Sequence, residues 1–460
     1  MKVLIVNPPM DVNFHWGYPP IGLAYLKAAL NGRHQAKALD MAAYSWEEVD
    51  AALRKETFDV VGISSMTNSR GQARRVGRMV REMRPDCRIV VGGPHPSSFP
   101  EEMIESCRAD AAVIGEGEET FRELIDAWED GKPLDAVAGL VFKKDGAFVR
   151  TPGRALIANL DDMPRPDFSD MDIPRYGKSL LYLNDTPLHG KRVGSMFSAR
   201  GCPFKCSYCS TSAYWSRKFR PMSAKVVVDQ MEWQRDTYGV EFIVFMDDLF
   251  TVQRKRVMEI CQEILRRGVT LPWIADARVD TVDEEELQLM KKAGCFGLFY
   301  GVESGSEQIL KNIQKEATRE ETVKAILATK RAGIKAWGFL MVGNPGETLS
   351  TVKETFDMWK EIQPDGGIGA MLTTVFPDAP LYRLAKEKKV VDDDYWKSDA
   401  RAPIYTGDHS FRTLRLYQTY LYALWALYKL RSSSWKGRMD TLRRALRYFR
   451  WKRQHVAVDY

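Results

Sequence analysis

The stretch VGSMFSARGCPFKCSYCS, from Val193 to Ser210, decides how the rest of the chain is read. It opens as a short apolar run of the kind a buried strand needs, and three thiols follow in one loop at Cys202, Cys206 and Cys209. A structural zinc closes four ligands and usually draws them as two pairs. Three thiolates leave a metal site open, which fits an iron–sulfur cluster with one vacant iron, although a zinc knuckle with a distant fourth ligand has the same residue types.

Downstream the same rhythm repeats. VGSMFSA, FIVFMDD, PWIADAR, FGLFYGVES, IKAWGFLMVG and GIGAMLTTV recur at roughly thirty-residue intervals, each trailed by a helical pattern. Six βα units predict a partial parallel barrel, short of the eight units of a complete one, and in such a barrel the chemistry sits at strand ends. Besides the Cys loop, those ends hold Asp247 and Asp248, Arg278, Glu303 and Ser304, and the turn Gly343 to Glu347 with Pro345 and Gly346.

Upstream, KVLIVN, DVVGISS, RIVVGG and DAAVIGEGE alternate with the helical runs IGLAYLKAAL, ARRVGRMVREM, EEMIESC and TFRELIDAW. Buried runs alternating with amphipathic helices predict a doubly wound, Rossmann-like parallel sheet. Its carboxyl edge, where open α/β sheets bind ligands, carries NPP with Pro8, SSMT with Ser64, Ser65 and Thr67, GGPHP with Gly92, Gly93 and His95, and GEGE with Gly115, Glu116 and Gly117. LVFKKDGAFVRTP reads as a hairpin turning at Asp145 and Gly146. The expected organisation is an α/β chain with a Rossmann-like domain over 1–150, a linker wrapped over the surface at 151–190, the barrel over 191–400 and a helical region over 401–460.

Seven cysteines, odd in number and scattered outside the triplet, are no secreted disulfide framework. With a start that goes directly into a strand-like run, they point to a reducing cytoplasm. The net charge of +6 is uneven, because residues 411–460 hold twelve Lys/Arg against two Asp. That region begins with the apolar YQTYLYALWALYKL from Tyr417, too short to span a bilayer, which needs ~20 apolar residues. One reading packs it on the barrel as a core helix. LRRALRYFRWKR follows as an amphipathic basic run suited to an anionic membrane surface, with peripheral contact at the inner membrane and a lipid or other apolar substrate as the consequence. Nucleic acid is the electrostatic alternative.

Cys202-x-x-x-Cys206-x-x-Cys209, with Tyr208 before the last cysteine and at the end of a first barrel strand, resembles the signature of the radical S-adenosylmethionine (SAM) superfamily. The resemblance implies a [4Fe-4S] cluster whose open iron chelates SAM, and reductive cleavage of SAM to a 5′-deoxyadenosyl radical. It also implies an electron donor such as ferredoxin or flavodoxin. Asp247 and Asp248 resemble the family's polar motif after strand two that meets the SAM ammonium, although a helix cap has the same residue type. Arg278 is a candidate clamp for the SAM carboxylate or a substrate anion, with an ion pair as the alternative. Glu303 resembles the polar group near the ribose, and Gly343 to Glu347 the glycine-rich turn beside adenine; a plain tight turn explains the latter too. The series YPPIGLAYLKAAL, DVVGISSMT, VVGGPHPSSFPEE and VIGEGEETFREL resembles the cobalamin-binding domain ahead of the barrel in the B12-dependent, class B group. The Asp-x-His-x-x-Gly ligand motif of other B12 domains is absent, so the resemblance implies base-off cobalamin, with His95 a candidate neighbour of the corrin.

This combination implies a methyltransferase acting at an unactivated carbon or phosphorus on a small-molecule substrate, through methylcobalamin and a 5′-deoxyadenosyl radical. A B12-dependent cyclase or rearrangement enzyme is the nearest alternative. A methylthiotransferase is disfavoured, since residues 1–150 hold only Cys87 and Cys107 where that family has a second cluster. A non-catalytic cobalamin- or redox-responsive binding protein is the reading from another class.

Overall fold

The computed structural model describes residues 1–10, 17–178, 180, 183 and 186–432. In the amino-terminal half, β1 (Lys2–Asn7), β2 (Gln35–Asp40), β3 (Val60–Ser64), β4 (Arg88–Gly92), β5 (Ala111–Val113), β6 (Leu140–Lys144) and β7 (Ala147–Arg150) form one sheet in the order β2-β1-β3-β4-β5-β6-β7. The first five are parallel, and β6 and β7 add an antiparallel hairpin at the edge. Asp145 and Gly146 turn that hairpin, both with positive φ, as a two-residue turn of primed type requires. Within β1, Val3 and Ile5 enter one apolar core while Leu4 and Val6 enter another, the two-sided burial that makes such a strand continuously apolar.

The barrel strands are Val193–Met196, Phe242–Phe245, Trp273–Ala277, Cys295–Glu303, Lys335–Val342 and Gly369–Leu372. All six are parallel and follow one another in chain order, and the first and sixth remain as edges. The expected six units are present, and the barrel is partial.

Residues 151–190 do more than wrap the surface. Leu160, Phe168, Tyr176 and Leu188 are buried in the apolar core that continues from Val3 and Ile5 into the barrel. The Tyr176 hydroxyl donates to Asp40 at 2.8 Å, and Lys27 pairs with Asp170 at 2.6 Å. At the other end, helix Phe411–Ser432 lies along the sixth strand. Leu414 and Leu421 are buried, Gln418 Nε2 donates to the Ala370 carbonyl at 2.8 Å, and the Tyr422 hydroxyl donates to the same oxygen at 3.1 Å. The apolar run from Tyr417 therefore covers a sheet edge, which blunts an otherwise unpaired strand. The basic run LRRALRYFRWKR lies outside the described residues. Among the described residues, no helix is long and apolar enough to cross a membrane.

Candidate functional site

Backbone geometry sets the Cys loop before its thiols matter. Gly201 has φ +89°, and a Cβ there would stand 2.0 Å from the Lys218 carbonyl oxygen, so only glycine lets the chain turn here. Its amide donates to Asp248 Oδ2 at 3.0 Å. Further along, the Ser207 amide donates to the Ile313 carbonyl at 2.9 Å, and the Ser207 carbonyl accepts from the Leu381 amide at 2.7 Å. Three separate elements thus hold the loop.

Cys202, Cys206 and Cys209 line one chamber of about 210 Å³, and all three are free thiols. Burial, with Cys209 and Cys206 adding repulsion, pushes the Cys202 thiol up to about 11. Among the described residues no three His, Cys, Asp or Glu side chains converge on a point that could hold one metal ion. Sulfurs around a single zinc sit about 3.8 Å apart, given a Zn–S bond near 2.3 Å. Three thiols that open on one chamber can each bind a separate iron of a polynuclear cluster and leave one iron without a protein ligand.

Arg278 is buried over this loop. Its Cζ lies 3.7 Å from the centre of the Phe204 ring, Nη1 is 3.6 Å from Cys206 Sγ, and Nε and Nη2 donate to the Asp280 carboxylate at 2.7 and 2.9 Å. Nη2 also donates to the Lys315 carbonyl. Arg278 lines the chamber and braces the Cys loop, with Asp280 holding one edge of its guanidinium fork. Tyr208 donates to Glu303 Oε1 at 2.7 Å, and Lys315 Nζ reaches the same oxygen at 3.1 Å. This Tyr–Glu–Lys group lines the chamber beside the thiols. Glu303 holds φ +62° and Gln314 and Glu316, either side of Lys315, hold +53° and +56°, left-handed positions that cluster where a site over-determines its backbone.

The two aspartates after the second strand differ. Asp247 is buried and takes hydrogen bonds from the Ser198 amide at 2.6 Å, the Ser198 hydroxyl at 2.5 Å and the Ala199 amide at 3.1 Å, with Arg256 at 3.6 Å. It anchors the base of the Cys loop and does not line the chamber. Asp248 faces it, and burial with the nearby Asp247 charge pushes its carboxyl up to about 6.

A second cavity of about 960 Å³ opens where the carboxyl edge of the amino-terminal sheet meets the barrel mouth. Ser64, Thr67, Gly92, Gly93, Gly115, Glu116 and Gly117 line it, and Asp248 is shared with the thiol chamber. At Gly115 a Cβ would meet nothing within 4 Å, so the cradle stays open for a ligand's approach. Glu116 pairs with Arg200 at 2.7 Å and Arg220 at 2.9 Å, clamping the cleft wall to the base of the Cys loop. Burial raises its carboxyl pKa, and those guanidiniums outweigh burial and hold it low.

Several expected residues lie elsewhere. His95 is fully buried between Phe99 and Trp396, with ring centroids at 5.5 and 5.9 Å, and is not in the cleft wall; burial, then Arg70 and Arg74, drive its pKa down to about 3. Pro8 and Ser65 are buried off the wall, because the strand ends turn them into the domain. Ser304 is buried against Thr355, with their hydroxyls 3.0 Å apart. Gly343, Pro345 and Gly346 form a tight turn braced by Asn312, which donates to the Pro345 carbonyl at 2.8 Å, and by Asp408, which accepts from the Gly346 amide at 3.0 Å. No histidine among the described residues lines the cleft. The chamber also holds Asp276 and Lys315, which the sequence reading missed. Asp276 had a signal, a charge inside the apolar run PWIADAR two residues before Arg278; Lys315 had none.

Two family matches divide the chain as the geometry does: the B12 binding domain over residues 12–125 and the Radical SAM superfamily over 196–358. The chain belongs to the cobalamin-dependent radical SAM enzymes, whose cofactors are a [4Fe-4S] cluster, SAM and cobalamin. An uncharacterized methyltransferase of Pyrococcus horikoshii is 31% identical over 86% of this chain and 86% of its own. The anaerobic magnesium-protoporphyrin IX monomethyl ester cyclase of Rubrivivax gelatinosus is 31% identical over 85% of this chain and 71% of its own. In fold, the chain is similar to the radical SAM methyltransferase TsrM of Kitasatospora setae with cobalamin and [4Fe-4S] cluster bound, with TM-score 0.69, 21% identity, and 85% and 75% of the two chains covered.

Proposed function

We propose that this enzyme transfers a methyl group to an unactivated carbon or phosphorus of a small molecule, using SAM both as methyl source and as radical source. Cys202, Cys206 and Cys209 would hold the cluster, Tyr208, Glu303 and Asp248 would bind SAM, and Ser64, Thr67, Gly92, Gly93, Gly115, Glu116 and Gly117 would line the cobalamin site. When bound, the cluster supplies the electron that cleaves SAM and cobalamin carries the methyl group. The chain's own part is to brace the Cys loop through Arg278 and Asp247, and to offer the SAM ribose and ammonium the acceptors Glu303 and Asp248. One observation carries the reading: the thiol chamber and the large cleft share a wall at Asp248, so groups bound in each face one another.

The test is anaerobic reconstitution, reduction and product analysis with SAM. Methyl transfer produces both 5′-deoxyadenosine and S-adenosylhomocysteine. Deoxyadenosine without S-adenosylhomocysteine would move the reading to the cyclase that the Rubrivivax relative represents. The electron would come from a ferredoxin or flavodoxin. A lipid substrate taken from the inner membrane surface rests on the basic run beyond residue 432.

A further inference from the structure

The barrel interior holds one carboxylate whose role the proposed cofactor contacts leave open. Asp276, on the third strand, lines the thiol chamber, and among the described residues it has neither a hydrogen bond nor an ion pair. The other charged groups of that chamber are satisfied: Arg278 by Asp280, Glu303 by Lys315 and Tyr208, and Asp248 by the Gly201 amide. The charges around Asp276 are Asp248 and Asp247, both acidic, and Tyr18 from the amino-terminal domain stands close enough to feel its charge. Its side chain is exposed to the chamber, and with only acidic groups around it the carboxylate can accept from a donor on a bound molecule.

Beside it the wall is aromatic. Asp276 is paired in register with Phe299 on the next strand. Phe299 stacks on Trp337 at 4.7 Å with planes 22° apart and on Phe339 at 5.5 Å with planes 12° apart. The rings continue each other across the fourth and fifth strands, and Phe339 is 45% exposed though it points into the barrel. The stacked rings form a flat, polarizable surface suited to another π-system, and the negative ring faces favour a cation as the carboxylate does.

We propose that Asp276 is a specificity-determining residue, and that the substrate is a planar π-rich molecule that lies on the Phe299–Phe339 face and presents an N–H or ammonium donor to the Asp276 carboxylate. This rests on the reading of the barrel as the substrate chamber of a radical SAM enzyme. A matched probe pair tests it by equilibrium dialysis against the reconstituted holoenzyme: 1-naphthylmethylamine, a cation with N–H donors, and 1-naphthalenesulfonate, the same ring with an anion. The wild-type enzyme binds the amine at least tenfold more tightly than the sulfonate. Asp276→Asn, at equal iron and cobalamin loading, loses that preference, Asp276→Glu retains most of it, and Phe339→Ala weakens both probes about equally. Retention of the full preference by Asp276→Asn, equal binding of the two probes by wild type, or no binding of either overturns the inference. Formation of 5′-deoxyadenosine from SAM by the wild type is scored separately, so failure of the radical reading is distinguishable from failure of this one.

Discussion

At the scale of single residues, the loop from Gly201 to Cys209 shows how far chemistry can be separated from support. The thiols are the members of that loop whose type the proposed cluster would dictate; Gly201 is dictated by a backbone turn and Tyr208 by the Glu303 acceptor. Replacing Cys202, Cys206 and Cys209 together with Ala should abolish iron retention and 5′-deoxyadenosine formation, measured by iron analysis and chromatography, while cobalamin retention persists. Asp247→Asn should act differently. It leaves two backbone amides and a buried guanidinium with a weaker acceptor, so a loss of about 1–3 kcal/mol in stability is expected, read by denaturant titration.

The residues legible in the sequence were those whose type alone is unusual in its setting: three clustered thiols, and paired glycines at strand ends. His95, expected beside the corrin, lies off the cleft wall because GGPHP opens the short helix Pro94–Ser98, whose packed face takes the imidazole. Lys315 was invisible because its partner Glu303 is reached through a turn whose conformation no propensity announces.

At the scale of elements, βα alternation was the most readable signal, since a strand buried on both faces and a helix buried on one impose different periods on the chain. What periodicity cannot show is which side chain on a helix is strained. Helix Glu284–Lys292 is an instance: Glu286 is fully buried and neither carboxyl oxygen has a hydrogen-bond partner. Burial, with the nearby Asp283 charge, pushes its carboxyl up to about 8. The folded state therefore binds this proton more tightly than the unfolded chain, whose carboxyl titrates near 4.5. Stability from this group is greatest below that value, and falls as pH rises toward 8. Glu286→Gln should flatten the decline in melting temperature between pH 6 and 8. A variant that declines as steeply as wild type would show that Glu286 is not the group responsible.

The carboxyl-terminal helix makes the same point about apolar runs. YQTYLYALWALYKL has no clean amphipathic stripe, yet Leu421 is fully buried against the barrel and Tyr422 reaches the edge strand. Leu421→Ala should cost about 2–5 kcal/mol, as buried leucine truncations do. A cost below 0.5 kcal/mol would mean that the helix does not seal the sixth strand in solution.

At the scale of the whole molecule, the cleft between sheet edge and barrel mouth sets the cobalamin prediction. The reconstituted protein should give the ultraviolet–visible and paramagnetic-resonance spectra of base-off cobalamin, as the resemblance to the B12-dependent group implies; a base-on spectrum, or no retention of cobalamin, would overturn that expectation. The basic residues beyond 432 carry a separate expectation. Full-length protein should sediment with anionic liposomes at physiological salt more than a chain ending at Ser432; equal, negligible pelleting of both would remove the membrane reading.

Tyr176 on Asp40, Lys27 on Asp170, and an apolar interior that runs unbroken from Val3 to Leu421 have a calorimetric consequence. Two domains joined by a loose tether would melt in two steps, each with its own enthalpy. Here the tether is itself interior, so a scan of the apoprotein should show one endotherm, and residues 1–150 expressed alone should remain without a cooperative transition. The two cofactor-binding halves could not then be shuffled among relatives as interchangeable modules; a working chimera would have to carry residues 151–190 along with the half they fit.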